Sequence, residues 1–209
     1  MKQKITLTTV IIAMIVFFIG LYTDNYIMRM IAKPIPILAM ITLLKPVTHY
    51  KKMIFIGLGF SVIGDFLLES SPTMFIFGLV AFLLAQTSYI VAFMKRSRSL
   101  NPIALIVLII FGVVLFYLLY PGLDNMTIPV LIYVIVILTM SWRAIAQHNF
   151  DQFAIYASAG SLFFVISDCI IAFNKFYVEM PHARWLIMVT YWTAQSMIFY
   201  SAYKSANDD

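Results

Sequence analysis

Charge is scarce in this chain. Only 11% of its 209 residues are Asp, Glu, Lys or Arg, against about 25% in an ordinary soluble domain, and that shortfall excludes a water-exposed globular surface of normal composition. Cysteine is scarcer still. A single Cys169 rules out an internal disulfide, and a lone thiol in an apolar run reads as a small core residue rather than a nucleophile. The basic start MKQK is followed by an apolar run, but no small-residue cleavage pattern follows Gly20, so this segment is expected to stay in place as a first span. No internal repeat stands out beyond a loose echo between GDFLL and SDCII, which leaves an inverted-repeat transporter unsupported. The formal charge of +5 invites a nucleic-acid reading, yet the cations sit in short clusters between apolar runs and not along an amphipathic surface. No nucleic-acid partner is expected.

What the chain has instead is apolar length: 63% of its residues are hydrophobic. A bilayer-crossing helix needs about 20 apolar residues, so the length accommodates about eight spans with short connections and no separate soluble domain. Charges and Pro, Gly or Asn turn signals bound them at 5–22, 34–48, 53–68, 73–94, 102–120, 128–147, 153–174 and 183–203. The expected fold class is an all-α membrane protein, an eight-helix bundle forming a single domain over 1–209. Loop charge sets its direction, because cytoplasmic loops retain Lys and Arg. One side collects Lys2, Lys4, Lys45, Lys51, Lys52, Lys95, Arg96, Arg98, Arg143 and Lys204; the other holds only Arg29, Lys33, Lys175 and Arg184. Both termini are therefore expected in the cytoplasm, and a bacterial inner membrane is the expected location.

Two carboxylates interrupt the apolar runs. Asp65 lies in FSVIGDFLLE and Asp168 in FFVISDCIIAF, and an intramembrane carboxylate costs about 2.5–3.5 kcal/mol or more near the bilayer centre. Asp65 precedes Glu69 by four residues, about 6 Å along a helix, and Asp168 precedes Lys175 by seven, about 10 Å. Both thus fall in the outer half of the bilayer on spans that run the same way. A structural hydrogen bond or a helix-end cap would explain either one alone. A catalytic pair explains both, since two carboxylates in one low-dielectric site cannot both ionise easily and one keeps its proton beside a base. The three histidines, His49, His148 and His182, fall in loops or at helix ends. His49 and His148 are expected on the opposite membrane side from the aspartates, which argues against a His-plus-carboxylate metal site. No cofactor is expected.

Other polar residues sit at similar depth. Lys33 opens the second span with Arg29 four residues earlier; such residues either snorkel to the interface or contact a phosphate headgroup. Gln86 and Tyr89, and Tyr191 and Gln195, form i,i+3 and i,i+4 pairs that either bind helices together or line a pocket. Asn174 and Trp192 are weaker candidates.

Lys33-Pro34, Gly64-Asp65 with Leu67-Leu68, GLVAFLLAQTSYIVAF from Gly78 to Phe93, FFVISDCIIAFNKF from Phe163 to Phe176, and TYWTAQ from Thr190 to Gln195 occur in an order and spacing that resembles the YhhN-like lysoplasmalogenase family. That resemblance implies eight spans and hydrolysis of the vinyl ether bond of lysoplasmalogens to a fatty aldehyde and a glycerophospho-base. It also implies that Asp65 and Asp168 are the catalytic pair, and a lysophospholipid in the bilayer the substrate. One departure is visible: the family often has His where this chain has Gln86, and an amide hydrogen-bonds but does not titrate. In the expected mechanism one aspartate protonates the enol-ether carbon and the other orients water, either Asp168 as the acid with Asp65 as the base or the reverse. Tyr191 and Gln195 hold substrate or water, and Lys33 and Arg29 meet the phosphate. An intramembrane aspartyl protease also uses two aspartates, but no Pro-Ala-Leu run is present; a proton-coupled carrier would use them as a relay. Oligomeric state is left open.

Overall fold

The computed structural model describes residues 2–205, with side chains from Thr6 onward. The side chains of Lys2 and Lys4, counted above among the charges expected on the cytoplasmic side, lie outside that set, as do Met1 and residues 206–209. The described residues are helical almost throughout. In chain order the helices are α1 (Lys2–Tyr22), α2 (Tyr26–Ala32), α3 (Ile35–Leu43), α4 (His49–Ser70), α5 (Phe75–Arg96), α6 (Pro102–Leu119), α7 (Thr127–Ala146), α8 (Ala154–Phe176) and α9 (Ala183–Lys204). Short 3-10 turns precede α5 and lie between α6 and α7.

Six segments are long and apolar enough to cross a membrane: Tyr26–Leu43, His49–Ser70, Pro72–Arg96, Pro102–Gly122, Asp124–Ala146 and Ala154–Phe176. The protein is a multi-pass integral membrane protein. The apolar part of α1, Thr6–Tyr22, is shorter, and α9 is not among the six although it has 22 residues. Its inward face carries Tyr191, Gln195 and Ser201, all buried, and these lower its apolar character.

The second apolar segment differs from expectation. It starts at Tyr26, where the Asn25 side chain accepts a hydrogen bond from the Met28 N–H at 3.0 Å and caps the helix. It ends at Leu43 rather than residue 48, because Lys45-Pro46 follows and the residue before proline is pushed out of the helical region. Pro34 and Pro36 lack N–H groups, so the run breaks into α2 and α3 at Lys33-Pro34. Lys33 therefore lies seven residues, about 10 Å, along this segment instead of at its tip.

Two helix pairs approach very closely. A Cβ on Gly64 would stand 2.6 Å from Phe82 Cε2, so the bare backbone of α4 admits the Phe82 ring of α5. On α8, a Cβ at Gly160 would lie 2.8 Å from the Ala194 carbonyl oxygen of α9. Small residues at helix crossings are how membrane helices gain contact where no water can drive them together. α7 packs against both α5 and α8, while α6 leans on α7 from the outside. At one end of the bundle the buried Arg96 pairs with Asp151, donates to Ser201 Oγ at 3.1 Å and lies 4.3 Å from the centre of the Tyr50 ring. Arg143 donates to the Ser97 and Ser99 carbonyls at 2.6 and 2.9 Å. These two arginines tie four helices and two loops together at that end.

Gly160→Val should drive a side chain into the α9 backbone and cost about 1–3 kcal/mol. The expected readout is a lower thermal midpoint of the detergent-solubilised protein, with the helical circular dichroism at low temperature retained.

Candidate active site

Asp168 projects from α8 and Asp65 from α4, and each has its own partners. Asp168 Oδ2 accepts from the Tyr133 hydroxyl at 2.5 Å and from Gln86 Nε2 at 3.2 Å, and the same amide nitrogen donates to Tyr133 Oη at 2.7 Å. Three helices, α5, α7 and α8, thus meet on one carboxylate. Asp65, only 1% exposed, accepts from the Tyr191 hydroxyl of α9 at 3.0 Å. Below it, Tyr89 donates to Gln195 Oε1 at 2.8 Å and Gln195 Nε2 donates to Ser61 Oγ at 2.8 Å, which joins α5, α9 and α4. No hydrogen bond between the two carboxylates occurs among the described residues. Phe82 stands between their surroundings: it packs edge to face on Tyr191 with ring centres 5.7 Å apart and also lines the space into which Asp168 opens.

That space is a cavity of about 60 Å³ whose wall is apolar except for Asp168, Tyr133 and Cys169. Leu68, Phe75 and Ile171 line it and also line a second, wider space of about 260 Å³. The polar wall of this vestibule consists of Lys33, Glu69, Asn174, Lys175 and Arg184. Glu69 gathers the cations here. Arg29 Nε donates to it at 2.9 Å, Lys33 Nζ lies 3.6 Å from its other oxygen, and Arg184 approaches at 4.0 Å. Lys175 sits 4.3 Å from the centre of the Phe75 ring, at the neck between the two spaces.

Set beside the sequence expectations, Asp168 lines the cavity and Lys33 the vestibule, whereas Asp65, Gln86, Tyr89, Tyr191 and Gln195 stand behind the walls. Arg29 also stands back, engaged by Asp24 at 2.8 Å and by Glu69. Asn174 lines the vestibule and accepts from the Met180 N–H at 2.8 Å. Trp192 is packed edge to face against Phe17, 5.3 Å between ring centres, which makes it a packing residue. Tyr133, Glu69, Lys175 and Arg184 were not singled out. Tyr133 had one available signal: it and Ser141, eight residues on, are buried polar residues on one face of α7. Among the described residues, no group of three or more His, Cys, Asp or Glu side chains comes together as a metal site.

The family model described as YhhN family matches residues 28–202, most of the chain, including both aspartates and every residue that lines the cavity. The protein belongs to the YhhN family. Among its relatives, human "Lysoplasmalogenase TMEM86A" is 38% identical over 73% of this chain and 65% of its own length. Human "Lysoplasmalogenase TMEM86B" is 31% identical over 84% of this chain and 75% of its own length. A "Lysoplasmalogenase" of Mycobacterium tuberculosis is 28% identical over 67% of this chain and 56% of its own length. The chain thus spans just under two thirds of the length of the first of these. No solved structure matches it. For this YhhN-family member, the matched region contains both aspartates, the polar wall of the vestibule and the cavity.

Glu69→Ala would leave Arg29 and Lys33 buried without their shared counter-charge, a loss of about 3–5 kcal/mol when one member of a buried ion pair is removed. Thermal unfolding should show a markedly lower midpoint, with Glu69→Gln falling between this variant and the parent.

Proposed function

We propose that this protein is a lysoplasmalogenase, a membrane-embedded hydrolase that cleaves the vinyl ether bond of a lysophospholipid to a fatty aldehyde and a glycerophospho-base. The observation that carries this reading is a carboxylate, Asp168, in the wall of an apolar cavity that adjoins a cationic vestibule across Leu68, Phe75 and Ile171. The vestibule offers counter-charge to a phosphate headgroup, and the cavity admits the ether bond next to it. The printed names of the relatives point the same way.

In this mechanism the phosphate rests against Lys33, Lys175 and Arg184, with Arg29 holding Glu69 in place behind them. The enol ether reaches Asp168. A proton passes from the Asp168 carboxyl to the ether carbon distal to oxygen, leaving an oxocarbenium-like centre next to the new carboxylate, whose charge stabilises it. Water adds to the carbon bonded to oxygen and gives up a proton to the carboxylate; the resulting hemiacetal collapses to aldehyde and alcohol. Tyr133 and Gln86 hold Asp168 in position. Asp65 is the second carboxylate of the pair and works from behind the wall: it holds the Tyr191 hydroxyl, and Tyr191 in turn sets the Phe82 ring that faces the reacting bond.

The reading extends to topology. α1 and α9 also cross, giving eight spans in a single domain with both termini cytoplasmic, and the vestibule faces the outer side of what is proposed to be a bacterial inner membrane.

Asp168→Asn should lower kcat for aldehyde release by about 10²–10⁴-fold, the usual range for losing a general acid. Asp65→Asn should also lose activity, and full aldehyde release by either variant, measured by mass spectrometry of the products, would remove that residue from the mechanism. Tyr133→Phe should lower kcat with little change in KM. Lys33→Ala should act mainly on KM, raising it about tenfold for the loss of one charged contact.

A further inference from the structure

The cavity at Asp168 is too small for its proposed substrate. At about 60 Å³ it takes the reacting bond and a few neighbouring atoms, and the vestibule beside it is lined by charge. A long hydrocarbon chain needs another place. On the outer side of α7 lies an apolar groove of about 560 Å³, roughly nine times the cavity, formed between α6 and α7. Val134 and Leu138 line both the groove and the Asp168 cavity, so the two spaces are separated by side chains and not by backbone. Leu138 is the thinner part of that partition. A Cβ at Gly112 would lie 2.5 Å from Leu138 Cδ1, which means that Leu138 rests in a notch that exists only because residue 112 has no side chain.

We propose that the α6–α7 groove seats the hydrocarbon chain of the substrate, which reaches Asp168 laterally from the bilayer past Leu138 and Val134. The assignment deepens the lysoplasmalogenase reading and rests on it for the identity of the chain. Dimension and chemistry both fit. Groove-lining positions run from Leu105 on α6 to Tyr120 just past its end, fifteen steps or about 22 Å, against about 30 Å for a whole hydrocarbon core. Thr139 is the one aliphatic hydroxyl in the lining, and it is spent on the Ile135 carbonyl at 2.7 Å. Direction fits as well: Gly122, just past Tyr120, lies against the Phe176 carbonyl, and Phe176 belongs to the cavity wall. The groove therefore leads towards the end of the bundle that holds the vestibule, as an extended single-chain amphiphile requires.

The test has two arms. In the kinetic arm, aldehyde release is measured with long-chain and short-chain lysoplasmalogens of one headgroup. Gly112→Leu, which fills the notch, should lower the ratio of kcat/KM for long over short chains by about tenfold or more, the scale on which apolar pockets discriminate chain length. Val113→Trp, at a lipid-exposed position of the same groove, should shift the ratio in the same direction if the first variant does not fold. An unchanged ratio overturns the proposal. In the binding arm, a long-chain saturated-ether lysophospholipid with a mid-chain diazirine is photolysed with the intact protein in nanodiscs. Labels should map to groove residues of α6 and α7 and be competed by excess unlabelled saturated-ether lysophospholipid. Labelling that is absent there, or that the competitor leaves unchanged as ordinary lipid contact would, overturns the proposal. Competed groove labels in a protein that releases no aldehyde from any substrate would sustain the groove and defeat the lysoplasmalogenase reading instead.

Discussion

A polar side chain inside a bundle surrounded by lipid has no water to fall back on, so its partners must come from other helices. In this protein that demand organises the interior. Asp168 is met by Tyr133 and Gln86, which joins α8 to α7 and α5. Asp65 is met by Tyr191, joining α4 to α9, and the Tyr89–Gln195–Ser61 chain fastens α5, α9 and α4 one level further in. Each bond fixes a helix rotation as well as a distance. Tight crossings at Gly64 and Gly160 bring the backbones close enough for these short side chains to meet. The groups proposed for chemistry and the groups that set helix register are therefore the same groups, and the site cannot loosen without the bundle loosening too.

The two ends of the bundle treat charge differently. At one end Arg96 and Arg143 are consumed by Asp151, serine hydroxyls and loop carbonyls, which closes that end. At the other, Glu69 gathers Arg29, Lys33 and Arg184 around an open vestibule, so cations there outnumber carboxylates. The buried arginines of the first end are spent on protein partners, whereas the cations of the second line an open space. Between them, Asp168 lies in the wall of a cavity that shares lining residues with both this vestibule and the apolar groove on α6 and α7.

Much of this was legible in the sequence. Apolar runs located the long helices to within a few residues, because a bilayer imposes a length and turn residues punctuate it. The second run was misjudged, since Pro34 looked like a helix start when it is a break inside a longer apolar stretch. Asp65 and Asp168 stood out because carboxylates are costly in apolar surroundings. Tyr133 did not, because tyrosine is common in membrane helices and only its hydrogen bond to Asp168 distinguishes it. Glu69 went unused as a site residue because a charge at a helix end ordinarily needs no explanation.

By itself the sequence determined the helical membrane class, the positions of the expensive carboxylates and the segregation of cations into clusters, all properties of composition and one-dimensional spacing. Which side chains face one another was decided only by the tertiary structure. Helix rotation and neighbour choice arise from contacts between residues as far apart in the chain as Asp65 and Tyr191 or Gln86 and Asp168, and no local pattern encodes them. The separate settings of the two carboxylates, the vestibule around Glu69 and the partition at Leu138 all come from that packing.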